Sequence, residues 1–204
     1  MLLTEYRPFH VDRQLAEATL KENRPLTVKG VIQRAEAKNQ NGRVYPKEIL
    51  EREINKYIEG PVKEKRALGE LDHPESSVIN LQNVSHNVIK VRMVGDDVYG
   101  EVEILPTPAG KILQALFASG IAVGISSRGM GSVQEGAGGT VEVQDDFELL
   151  CFDFVSTPST HGAFMTPVGR ALQEGKVLQQ EYKYTNVNNI IRDIICDNTG
   201  MCKC

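Results

Sequence analysis

A chain of 204 residues, 41% hydrophobic and 25% charged, is long enough for one domain with a single sizeable core. With 23 Lys and Arg against 27 Asp and Glu, the net charge of -4 creates no field that draws the chain to nucleic acid or to an anionic membrane. No apolar run approaches the roughly 18 residues of a membrane span, and the N-terminal MLLTEYRPFH lacks a charged start followed by an apolar stretch, so the chain reads as soluble and unexported.

In chain order, Asp12 is an N-cap candidate for a segment running to about Asn23, which Pro25 closes quickly and which fits a short helix or a mobile arm. Leu26 to Ala35 alternates and is rich in β-formers, and a turn at Asn39 to Gly42 follows. Pro46 opens a second helix with Ile49, Leu50, Ile54, Tyr57 and Ile58 as its stripe and Gly60 as its stop. Val88 to Leu105 predicts a hairpin about Gly95-Asp96-Asp97, with Ile89, Val91, Met93, Val98, Val102 and Ile104 facing inward. A third helix has Thr107 as N-cap, Pro108 in its first turn, Ile112, Leu113, Leu116 and Phe117 as its stripe, and Gly120 as its end.

Ile121 to Ser127 and Phe147 to Ser156 read as strands, with a Gly-rich loop at Gly136 to Gly139 and a short run at Val141 to Val143 between them. Beyond Pro158 the pattern dissolves, apart from a helical stretch near Ile190 to Ile195. The expected organisation is an arm at 1–25, a core domain at 26–168 and a tail at 169–204. Alternating strands joined by short turns predict an α+β fold built on an antiparallel sheet or barrel with covering helices. Cys151 sits in a strand while Cys196, Cys202 and Cys204 crowd the C-terminus, which is no disulfide framework, and we assign them no function.

Three positions carry chemistry. His73, in GELDHP at the end of a strand, is a general base by residue type. In IAVGISSRGMGS, alternation puts Ile121, Val123, Ile125 and Ser127 on one face and Ala122, Gly124, Ser126 and Arg128 on the other. Ser126 then points to a face cleared by Ala122 and Gly124, Ser127 points toward packing, and Ser126 is the better nucleophile. Gly129 and Gly131 add backbone N–H groups that suit an oxyanion. Asp153 interrupts an apolar strand, LLCFDFVST, and a carboxylate there needs a cationic or hydrogen-bonding partner, a role a histidine fills. Glu70, Asp72, His86 and His161 remain alternatives for orienting the base.

The strings NQNGRVYPKEIL, ALGELDHP, VYGEVEIL, GISSRGMGSV and FDFVSTPS, in this order, resemble the prohead core proteases of T-even-type myophages over about Val28 to Pro167. The resemblance implies a relation to the herpesvirus assemblins: an antiparallel β-barrel with flanking helices and a serine nucleophile on a barrel strand. It carries the family's histidine onto His73, the first serine of SSRG onto Ser126 and the aspartate before TPS onto Asp153. The assemblins use a second histidine as third member, which makes Asp153 the least constrained of the three.

The function so implied is a serine endopeptidase that cuts scaffold and major capsid precursor proteins, and itself, after Glu. It would work in the host cytoplasm inside an assembling prohead. Neither metal nor cofactor is called for, nor nucleic acid or a membrane, and a homo-oligomer is compatible with the reading. Self-cleavage motifs with an aliphatic residue, a spacer and Glu occur at Leu15-Ala16-Glu17, Val133-Gln134-Glu135 and Leu172-Gln173-Glu174, each before Ala or Gly. The alternative function is a proteolytically inactive scaffold component of the prohead, against which the intact His, Ser and Asp motifs speak. A metal-dependent hydrolase using Asp72, His73 and His86 is a further rival, for which no HExxH-type motif argues.

Overall fold

A computed structural model of the chain describes residues 13–21, 25–136 and 139–168. Helix α1 (Arg13–Lys21) precedes strand β1 (Leu26–Arg34), the short β2 (Arg43–Val44), helix α2 (Lys47–Tyr57) and β3 (Leu68–Glu70). Next come β4 (Val84–Val94), β5 (Asp97–Ile104), α3 (Pro108–Ala118) and β6 (Gly124–Met130). The last elements are β7 (Val133–Glu135), β8 (Val141–Val143), β9 (Glu148–Val155) and β10 (Thr166–Pro167).

Local chemistry explains most of these boundaries. Thr107 caps α3 by accepting from Gly110 N at 3.1 Å, and the chain leaves that helix through Gly120 at φ +76°. Instead of stopping at Gly60, α2 continues as one π-helical turn over Ile58–Val62 that contains Pro61. The β4–β5 hairpin turns at Gly95, φ +64°. A register shift between Val88 and Lys90 leaves Ile89 without a cross-strand partner, so Val88 is fully buried while Ile89, expected inside, is 40% exposed.

Five strands form one sheet in the order β10-β1-β5-β4-β3, antiparallel throughout. A second sheet has the order β2-β8-β7, and β6 pairs with β9 as an antiparallel ribbon. The expected barrel does not form. The ribbon meets both edges of the large sheet, but through single bridges only, Leu71 to Phe154 on one side and Gly124 to Phe164 on the other. With three residues in β3 and two in β10, neither edge is long enough to sustain a ladder, and the sheets stay open. The fold is mixed α+β, with Phe117, Phe152 and Phe154 among its largest fully buried side chains. Two of these rings meet edge-on, Phe117 against Phe154 with centroids 6.0 Å apart, and so seat α3 on the ribbon.

Candidate active site

β3 ends at Glu70, and the next residues leave the sheet by an unusual route. Asp72 takes φ +72°, a left-handed conformation in which Asp and Asn are the non-glycine residues most often found. Its N–H donates to Phe154 O of β9 at 2.8 Å, and its Oδ1 accepts from His73 N at 3.0 Å. The backbone before His73 is thereby hung on β9, one residue from Asp153. His73 Nδ1 stands 2.9 Å from Asp153 Oδ2, with Asp153 fully buried and the imidazole 40% exposed.

Asp153 is held from several sides. Its Oδ1 accepts from Glu70 N at 3.0 Å and from Arg128 Nη2 at 3.2 Å. Its Oδ2 lies 3.0 Å from Arg128 Nε as well as beside His73; both are within ion-pair reach, although neither is aligned well enough to count as a hydrogen bond. Arg128 also donates to Glu70 Oε1 at 2.9 Å, to Ser76 O at 2.7 Å and to Cys151 Sγ at 3.2 Å. Burial works against the Arg128 charge, but the Glu70 hydrogen bond, with Cys151 and Asp153, outweighs it and raises the guanidinium pKa. Burial, then Asp153, pushes the Cys151 thiol up to about 12, so it stays neutral. Two buried carboxylates against one guanidinium leave one negative charge that an imidazolium at His73 would offset.

Ser126 lies opposite Asp153 in the β6–β9 register, which places both side chains on one face of the ribbon. It borders, with His73, Ser127 and Ser159, a cavity of about 220 Å³. The Ser126 hydroxyl meets Ser159 Oγ at 3.0 Å. Three expectations change at this strand. Ser127 is not packed into the core but half-buried at the same cavity, although it faces Phe152 in the register. The space over Gly124 is filled by Pro158, whose ring would lie 2.5 Å from any Cβ there. Gly129 and Gly131 lie against Phe147 and do not border the cavity.

The other candidates fall elsewhere. Glu70 is buried on Arg128 and also accepts from Asn80 N at 3.1 Å, and His161 is exposed in a turn. His86 is buried under Phe154, with Nδ1 2.8 Å from Ser85 Oγ and Nε2 2.9 Å from Phe152 O, so neither ring nitrogen faces His73 or a ligand. Asp72, His73 and His86 therefore do not converge as a metal set. Cys196, Cys202 and Cys204 lie outside the described residues. Sequence reasoning missed Ser159 and the ion pairs of Arg128. Ser159 is signalled by its place in the TPS string, whereas the Arg128 contacts join residues 25 and 58 apart in sequence and depend on register.

Burial lowers the His86 pKa to about 4. An unfolded chain titrates near 6.5, so as pH falls the unfolded state takes up the proton first. The stability that His86 contributes is complete above about 6.5 and is lost toward pH 4, by roughly 3 kcal/mol if the whole shift is realised. Urea midpoints of a Ser126→Ala parent should drop between pH 7 and pH 4.5. The same chain with His86→Leu should lose less across that window; an equal drop would remove His86 as the cause.

Comparison with known proteins adds a family. The sequence model of a family described as "Prohead core protein serine protease" matches residues 11–174. The prohead core protein protease of Enterobacteria phage T4 is 35% identical over 145 residues, covering 70% of this chain and 68% of that protein. The solved structure of the bacteriophage T4 capsid assembly protease superposes with a TM-score of 0.63 at 33% identity, over 66% of this chain and 84% of the other.

Proposed function

Since the chain belongs to the prohead core serine protease family, we propose that it cuts peptide bonds by acyl transfer with Ser126 as nucleophile, His73 as base and Asp153 as orienting acid. The observation that carries this reading is the 2.9 Å contact of His73 Nδ1 with buried Asp153, with Ser126 opposite Asp153 in the same ribbon. With Nδ1 held there, Nε2 is the nitrogen left to act. The Ser126 hydroxyl turns from Ser159 to His73. Nε2 takes its proton as Oγ bonds to the scissile carbonyl carbon. The same proton passes to the leaving amine as the C–N bond breaks, and water then releases the new carboxyl end.

The substrates in this reading are the scaffold and major capsid precursor proteins within the assembling prohead, cut after Glu two positions beyond an aliphatic residue. The chain itself is a further substrate, and the three internal motifs differ in access. Glu17–Ala18 lies inside α1, where Ala16 is fully buried, so a cut there requires the helix to open. Val133, Gln134 and Glu135 are already extended and exposed in β7, the form a protease binds. The motif ending at Glu174 falls outside the described residues.

Intact-mass spectrometry over time tests the reading. Wild type should shorten, with the Glu135–Gly136 cut appearing before the Glu17–Ala18 cut, and Ser126→Ala should keep its full mass. Identical unchanged masses for both after long incubation would count against self-processing, and equal shortening of both would sink Ser126 as nucleophile.

A further inference from the structure

The turn before β2 is built to hold one arginine beside the nucleophile. Asn39 N donates to Arg43 O at 2.9 Å, and Asn39 Oδ1 accepts from both Asn41 N and Arg43 N at 2.9 Å. Gly42 closes the turn at φ +78°, and Val141 N of β8 donates to Gly42 O at 2.9 Å. Gln40 N donates to Ser159 O at 2.9 Å, and the hydroxyl of that same Ser159 touches Ser126. The turn that holds the Arg43 backbone is thus tied to Ser126 from Gln40, through two hydrogen bonds and one residue, Ser159.

Its side chain is free by comparison. Six of the seven described arginines have a partner: Arg13, Arg34, Arg52, Arg66 and Arg128 meet carboxylates, and Arg92 lies over the Tyr99 ring. Arg43 has none among the described residues, although the chain carries more acidic than basic groups. Arg43 borders the cavity shared by His73 and Ser126, and among the described residues no Asp or Glu lines it. An unpaired cation on a fixed backbone, among hydroxyls and amides and with no described carboxylate lining the cavity to neutralise it, matches the charge and hydrogen-bonding pattern of a ligand carboxylate.

We propose that Arg43 is a specificity residue that receives the carboxylate of an acidic substrate side chain next to the bond Ser126 attacks. The proposal rests on Ser126 being the nucleophile, and it accounts for the otherwise unused NQNGRVYP string, whose asparagines and glycine shape the turn while Arg43 reads the substrate.

Two peptides differing only in Glu or Gln before the scissile bond test it through the ratio of their kcat/KM values, in which any loss of folded enzyme cancels. Arg43→Ala should lower the Glu-to-Gln ratio about 10- to 100-fold, the size of one charge-assisted hydrogen bond. Arg43→Glu should lower it further, and Arg43→Lys, which keeps the charge without the fork, should retain part of it. A ratio unchanged in Arg43→Ala overturns the proposal. Labelling of wild type by a fluorophosphonate separates the two ideas. Label on Ser126 with an unchanged ratio overturns the subsite alone, whereas no label on Ser126 removes the nucleophile and the subsite with it.

Discussion

Ser126→Ala is expected to abolish cleavage of a capsid precursor, while Ser127→Ala keeps most of it. Both side chains border the cavity, so proximity does not separate them. Register does: Ser126 stands opposite Asp153, whose carboxylate also meets His73, and Ser127 stands opposite Phe152. Only the first shares a face with the carboxylate that contacts His73. Loss of the nucleophile costs about 10⁶ in kcat in a known Ser-His-Asp enzyme, far beyond what loss of a neighbouring hydroxyl would do. The assay is gel densitometry of one precursor with both variants prepared side by side. Activity in Ser126→Ala with none in Ser127→Ala would move the nucleophile to the other face of the strand.

Asp153→Asn should lower turnover about 10⁴-fold, as loss of the orienting acid does in other triads, because an amide favours the wrong imidazole tautomer and offsets no positive charge. The same change disturbs a buried ion cluster. Breaking such a pair costs about 3–5 kcal/mol, a large part of a domain's total of about 5–15 kcal/mol. A stability loss alone would therefore imitate a chemical one. Glu70→Gln supplies the control, since it weakens the same Arg128 network but its carboxylate meets Arg128 and Asn80 N, whereas His73 meets Asp153. With folding of each variant checked by circular dichroism, Glu70→Gln should lose stability yet keep turnover per folded molecule within about tenfold of wild type. If both variants lose turnover equally, Asp153 acts through the cluster and not through His73.

Much of this molecule is written locally. The β4–β5 hairpin, the Thr107 cap and the stripe of α2 follow from residues within a few positions of one another, and each is found where its pattern lies. The features that differ from expectation depend on distant pairing. Strict alternation puts Ile89 inward, and a bulge against β5 breaks that alternation. Assigning Ser127 to packing requires β6 to have one apolar face, but Gly124, Ile125, Ser126 and Arg128 are all buried, so this strand is covered on both sides. β10 is two residues long and exists only because β1 offers it an edge, so it has no periodicity to read. Strand count suggests a barrel, while closure depends on edge length, which β3 and β10 lack.

The candidate residues themselves are legible because each breaks its surroundings: a carboxylate among phenylalanines, hydroxyls where bulk is expected, a histidine at a strand end. Arg128 is visible in the same string but silent, since an arginine next to glycine gives no hint of three buried partners, Glu70, Cys151 and Asp153, from other parts of the chain.

The left-handed backbone at Asp72 narrows the paths by which this sequence can drift. Asp, Asn and Gly reach such a conformation easily, whereas a β-branched residue there is strained by its own side chain. Aspartate codons stand a single base from those of asparagine and of glycine, but also a single base from valine. Single-base changes at this one position therefore include replacements that keep the backbone hung on β9 and at least one, valine, that strains it, although no contact joins residue 72 to Ser126 among the described residues.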